Sequence, residues 1–105
     1  MLNKKNRLST AIIKDIFDSR TKNSSSDFFY VKKRPNDLGL YRFSIIIGKK
    51  IYKTAVKRHQ TKRRIISIIK NTENIPNFDY ILTLRTNISE ISDEKIKKDL
   101  VKILK

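Results

Sequence analysis

The chain has 105 residues, with 25 Lys or Arg against 10 Asp or Glu and a formal net charge of +15. That length suits one domain with a single core, and the charge calls for a polyanionic partner: nucleic acid, an anionic membrane surface or an acidic protein. Cysteine is absent, which excludes disulfides and thiolate metal sites and suits a reducing, cytoplasmic setting.

The N-terminus, MLNKKNRLST, lacks an apolar signal segment, and the longest apolar run, Ile45 to Ile47, is far too short to span a bilayer. Residues 1–8 read as a basic arm with Lys4, Lys5 and Arg7, expected to be mobile. Ser9 or Thr10 then opens a helix to about Arg20, with Ile12, Ile13, Ile16 and Phe17 on one apolar stripe. Core packing is the simplest account of Phe17, with a ligand contact as the alternative. Residues 21–27, TKNSSSD, read as a polar loop.

Phe28 to Lys33 alternates as a strand, with Phe28, Tyr30 and Lys32 on one face and Phe29, Val31 and Lys33 on the other. The stretch PNDLG (Pro35 to Gly39) reads as a reversing turn into a second strand, Leu40 to Gly48, which makes a hairpin. In that second strand Tyr41, Phe43, Ile45 and Ile47 form the better core face, leaving Arg42 and Ser44 on the more polar one.

Lys49 to Lys70 holds nine Lys or Arg and no acid, so the charge is concentrated here. Thr54 can cap a helix in which Arg58, Lys62, Ile65 and Ile69 share a stripe. Ile65, Ile66 and Ile69 want a core, whereas unpaired Arg58 and Lys62 resist burial. The helix should dock by its C-terminal half and present its first turns, where free N–H groups and the positive dipole end favour phosphate. A solvated lysine face is the blander reading, but such faces interleave acids.

Residues 71–77 read as a loop, Phe78 to Arg85 as a strand, and Ser92 as the cap of a last helix that buries Ile96, Leu100, Ile103 and Leu104. Asp93 and Glu94 suit its N-terminal turn, and Lys102 and Lys105 its C-terminal end. The order predicts an α+β domain over residues 1–105, one sheet with helices packed against it and no internal repeat.

Catalytic chemistry has little to work with. His59 is the only histidine, two glycines cannot build a phosphate-binding fingerprint, and no zinc spacing occurs. His59 beside Arg58 suits a polar RNA contact or a helix surface better than a general base. Aromatic strands beside a basic helix match single-stranded nucleic acid, where bases stack on rings and cations follow the backbone.

In order and along nearly the whole chain, these segments resemble the bacterial ribonuclease P protein component family. The resemblance rests on Arg7 and Leu8 before a helix with Ile13 and Phe17, a strand within Phe28 to Val31, and a strand from Arg42 into Lys49 and Lys50. It continues with the signature helix Ala55-Val56-Lys57-Arg58-His59-Gln60-Thr61-Lys62-Arg63-Arg64, the strand Asp79-Tyr80-Ile81 and the closing helix Ser92 to Leu104. Two departures are visible: the family's Arg-Asn-Arg is Arg58-His59-Gln60 here, and Ile13 stands where an aromatic is common.

The resemblance implies a two-layer α/β sandwich, helix-strand-strand-strand-helix-strand-helix, with a left-handed β-α-β crossover. It implies a non-catalytic subunit that binds a catalytic RNA through Lys49, Lys50, Lys53, Lys57, Arg58, His59, Gln60, Lys62 and Arg63. A cleft between the first helix and the sheet, formed by Ile13, Phe17, Phe29, Tyr30, Val31, Arg42 and Ile46, would hold the 5′ leader of precursor tRNA. Cleavage would belong to the RNA with its Mg²⁺, with no metal held by protein side chains and one monomer per ribonucleoprotein. Two rivals stand beside it: a ribosomal or other structural RNA-binding protein, and a toxin-type nuclease that would require His59 in catalysis.

Overall fold

The computed structural model describes residues 6–18 and 22–104. Lys4, Lys5, Arg20 and Lys105 lie outside the described residues. In chain order the elements are α1 (Thr10–Asp18), β1 (Lys22–Ser25), β2 (Phe29–Pro35), β3 (Arg42–Ile46), α2 (Ala55–Lys70), β4 (Phe78–Leu84) and α3 (Asp93–Leu104). The strands form one sheet in the order β1-β2-β4-β3.

Each helix starts at a polar cap. Ser9 Oγ accepts from the N–H of Ile12, Thr54 Oγ1 from that of Lys57, and Ser92 Oγ from that of Lys95, so each satisfies one of the N–H groups a helix start leaves open. Asp93 and Glu94 occupy the first turn of α3 as expected.

The sheet differs from the sequence reading in two ways. β2 and β3 are not a hairpin, because β4 lies between them, antiparallel to β2 and parallel to β3. β4 is buried on both faces through Asp79, Tyr80, Ile81 and Leu82, and a strand this apolar is most stable at the centre of a sheet. The PNDLG stretch therefore bridges over β4 instead of closing a tight turn. Gly39 takes a positive φ of 69° there, and Asn36 Nδ2 donates to Asp79 Oδ1 of β4 at 2.9 Å.

The second difference is β1, whose residues read as loop, although the element order implied by the resemblance, with three strands before α2, is the one observed. Its sequence KNSS has no strand signal of its own, and it is held by antiparallel pairing with β2, Asn23 opposite Lys32 and Ser25 opposite Tyr30. Asp99 of α3 secures the turn that follows. Its buried carboxylate accepts from Ser26 Oγ at 2.6 Å and from the N–H groups of Asp27 and Phe28.

Alternation assigns the two faces of the sheet. Phe29, Val31, Phe43, Ile45, Tyr80, Leu82 and Leu84 face α2 and α3 in one core with Ile65, Ile68, Ile69, Ile96, Leu100, Ile103 and Leu104. The other face carries Tyr30, Lys32 and Arg34 of β2, Asp79, Ile81 and Thr83 of β4, and Arg42, Ser44 and Ile46 of β3. α1 lies against that second face. Its Asp15 pairs with Arg34 at 2.7 Å, and Lys32 Nζ sits 4.9 Å from the centre of the Phe17 ring.

Within α2 the core positions are Ile65, Ile68 and Ile69, while Ile66 is only half-buried. That corrects the apolar trio read from sequence, in which Ile66 stood where Ile68 belongs. Ile69→Ala is expected to cost about 3 to 5 kcal/mol in urea denaturation, and Ile66→Ala less than half as much. Equal losses at the two positions would contradict this docking of α2.

Asn6, Arg7 and Leu8 correct the mobile-arm expectation for their part of the N-terminus. Asn6 Nδ2 donates to the Tyr41 carbonyl at 2.7 Å, the Leu8 N–H to that of Phe43 at 3.2 Å, and Arg7 bridges Phe43 in parallel. β3 is an edge strand, and this segment covers its open backbone groups. Among the described residues no helix is long and apolar enough to cross a membrane.

Candidate nucleic-acid interface

The basic side chains lie where α2 leaves the core. Lys49 and Lys50 sit in the turn after β3, in which the N–H groups of Ile51 and Tyr52 both donate to the Gly48 carbonyl. Lys53, Lys57, His59, Gln60, Lys62 and Arg63 are exposed around the first turns of α2. Among the described residues the ion pairs join Arg34 to Asp15 and Asp79, Arg42 to Asp79, and Arg64 to Asp93. The exposed cations of the Lys49 to Arg63 stretch therefore have no carboxylate partner, and their charge is available to a polyanion.

Two arginines of this segment are committed elsewhere. Arg58 Nη1 donates to the carbonyls of Tyr52 at 2.9 Å and Lys53 at 3.2 Å, folding back over the turn that leads into α2. Arg64 pairs with Asp93 at 2.6 Å and donates to the carbonyls of Ile88 and Ile91, tying α2 to the loop before α3. Arg58, expected to be free on the exposed half of the helix, thus also holds the local fold.

Two adjoining clefts flank α2 on the β3 side. One, of about 200 Å³, is lined by Ile47, Ala55, Arg58, His59 and Lys62. The other, of about 280 Å³, is lined by Arg7, Leu8, Phe43, Ser44, Ile45, His59, Lys62 and Ile66. His59 and Lys62 belong to both. On the far side of α2, Tyr52 forms a polar knot in which its hydroxyl accepts from the Ile88 N–H at 3.0 Å and lies 3.1 Å from both Asn87 Oδ1 and Ser89 Oγ.

The expected leader residues separate into two groups. Phe17, Tyr30 and Ile46 are exposed, at 46%, 51% and 37%; Ile13 is half-buried. Tyr30, Ile46 and Arg42 share the sheet face on which α1 lies. Phe29 and Val31 do not belong with them. Both are buried in the core against α2 and α3, because alternation turns them away from Tyr30. Phe17 is a surface ring, contrary to its simplest reading as core, and Ile16 takes the buried place on α1.

Arg42 lies on the expected face but is bound to Asp79. Its Nε and Nη2 donate to the two carboxylate oxygens at 2.8 and 2.7 Å. Burial works to raise the Asp79 carboxyl, but hydrogen bonds from Arg42 and Asn36, with the charges of Arg42 and Arg34, outweigh it and hold the group below its ordinary range. The hydrogen bond to Asp79 outweighs burial at Arg42 and raises its guanidinium in turn.

Two cations on this face went unassigned in the sequence. The Arg85 guanidinium stands 4.6 Å from the Tyr30 ring centre, and Lys32 covers Phe17. Lys32 was legible by alternation with Tyr30; Arg85 required the strand pairing that sets its N–H on the Phe28 carbonyl. A ring beside a cation suits single-stranded RNA, since a base can stack while a phosphate meets the charge.

The family model described as Ribonuclease P matches residues 2–105. The chain belongs to the Ribonuclease P family. The ribonuclease P protein component of Pseudoalteromonas translucida is 32% identical over 81 residues, covering 76% of this chain and 58% of that one. That of Acholeplasma laidlawii is 27% identical over 92 residues, covering 86% and 78%. Among solved structures, the RNase P protein from Thermotoga maritima superposes with a TM-score of 0.81 at 22% identity, covering 93% of this chain and 94% of that one. The Staphylococcus aureus RNase P protein gives 0.77 at 24% identity, covering 94% and 92%. At these identities the structural likeness establishes the fold, and the family match covers the basic α2 and the α1-bearing sheet face alike.

Proposed function

We propose that this chain is the protein subunit of a ribonuclease P that matures the 5′ ends of tRNA in the cytoplasm. The family match over residues 2–105 carries this reading. The β3–α2 turn and α2 bind the RNA subunit through Lys49, Lys50, Lys53, Lys57, Lys62 and Arg63, with His59 and Gln60 as polar contacts. The face bearing Phe17, Tyr30 and Ile46 receives the single-stranded 5′ leader of precursor tRNA. Phosphodiester cleavage belongs to the RNA subunit with its Mg²⁺, and one protein monomer serves each RNA. Four of the ten acids, Asp15, Asp79, Asp93 and Asp99, each hold a structural partner, which agrees with this division of labour.

The test is reconstitution with a bacterial ribonuclease P RNA at low Mg²⁺, followed by removal of a tRNA leader. The protein is expected to stimulate cleavage and to show none alone. Tyr30→Ala and Phe17→Ala should each weaken binding of leader-bearing tRNA by about tenfold, the low end for one lost base stack, with leaderless tRNA unaffected. Equal weakening of both tRNAs would remove the leader from this face. Cleavage by the protein alone would favour the nuclease reading.

A further inference from the structure

His59 occupies the wall shared by the two clefts beside α2, and the groups around it come from three elements. The N-terminal segment contributes Arg7 and Leu8, β3 contributes Phe43, Ser44 and Ile45 with Ile47 just beyond it, and α2 contributes Arg58, Lys62 and Ile66. The charged groups among them are Arg7, Arg58 and Lys62; no carboxylate lines either cleft. Leu8, Phe43, Ile45 and Ile66 supply apolar surface around this cationic rim.

The surroundings of the imidazole change in sign when an anion arrives. The open cleft gathers the cations Arg7, Arg58 and Lys62 with no carboxylate to balance them. A phosphate seated among them reverses the sign of the local field, and the imidazolium becomes both a charge partner and a second N–H donor. Histidine is the side chain whose ordinary charge change falls between about pH 5 and pH 8. Neither Asn nor a permanently charged Arg at this position could respond in that range.

We propose that this cleft seats an RNA phosphate against His59 and that the phosphate binds together with a proton. The proposal rests on the RNA-binding reading of α2 and adds to it a pH dependence particular to Arg58-His59-Gln60. By linkage, an association that takes up a proton strengthens as pH falls, by at most tenfold per pH unit for one group.

The experiment measures association of the full chain with a bacterial ribonuclease P RNA at constant salt, between about pH 6 and pH 8. Wild type is expected to bind about tenfold tighter at the lower end. His59→Asn should give a flat profile, and His59→Lys, charged throughout, should also be flat but tighter than His59→Asn. Because His59 is the only histidine, one imidazole resonance reports it directly by NMR, and its titration midpoint should move upward when RNA is bound. Thermal melts of both variants establish that they fold. RNA binding with an unmoved resonance, or a His59→Asn profile as steep as wild type, overturns the proton-linked site while leaving the RNA-binding reading intact. Failure of folded wild type to bind the RNA at any pH overturns that reading, and the proposal with it.

Discussion

Asp79→Ala should lower stability by about 3 to 5 kcal/mol in urea denaturation, the scale for removing one partner of a buried ion pair. The Asp79 side chain is 1% exposed and meets Arg42 at 2.7 Å and Arg34 at 3.7 Å, with Asn36 also bound to it. Its loss strands the partly buried Arg42 guanidinium and releases the loop that bridges β4. Arg42→Ala should be destabilising for the same reason, so any leader-binding defect it shows must be corrected for unfolding. The pH dependence has a definite sign. The folded carboxyl is held low, so its contribution is present above the unfolded value near 3.9 and is lost as pH falls through the lower folded value. The gap between wild type and Asp79→Ala should accordingly begin to close at about pH 4 and narrow as pH falls further. A loss under about 1 kcal/mol at neutral pH would show that the ion pair does not hold β3 to β4.

RNA affinity should fall about 100- to 500-fold as monovalent salt rises from about 50 to about 200 mM. Lys49, Lys50, Lys53, Lys57, Lys62 and Arg63 are exposed without a carboxylate partner. If about five phosphates are engaged, the slope of log K against log salt should lie near −3.5 to −4.5, depending on how far the RNA is duplexed. Lys62→Ala and Arg63→Ala should each flatten it by about one, with little effect on melting. Arg58→Ala should both weaken binding and lower stability, since its guanidinium holds the Tyr52 and Lys53 carbonyls. A wild-type slope shallower than about −1 would be incompatible with α2 as the RNA-binding helix.

The helices were legible because each carries its own signals. Caps at Ser9, Thr54 and Ser92 and apolar repeats at helical spacing act within a few residues, and all three caps are in place. The basic segment was legible for a similar reason, since nine cations without an acid need no fold to be recognised. Strand faces followed from alternation, which sent Phe43 and Ile45 inward and Arg42 and Ser44 to the other side. What that pattern left open was which face of β2 belonged to the core, because Phe29 and Tyr30 are both aromatic.

By itself, then, the sequence determined the three helices, three of the four strands and the cationic character of the α2 segment, because these depend on near neighbours in the chain. Tertiary structure alone decided the rest. Insertion of β4 between β2 and β3, the strand status of KNSS and the covering of β3's edge by Asn6 to Leu8 all depend on hydrogen bonds to distant partners. The same holds for the division of the arginines. Nothing local separates Arg63, which is exposed, from Arg64, which is fixed by Asp93, or marks Arg42 as the partner of Asp79. Which cations are free to meet RNA is set by where the few carboxylates fall in space.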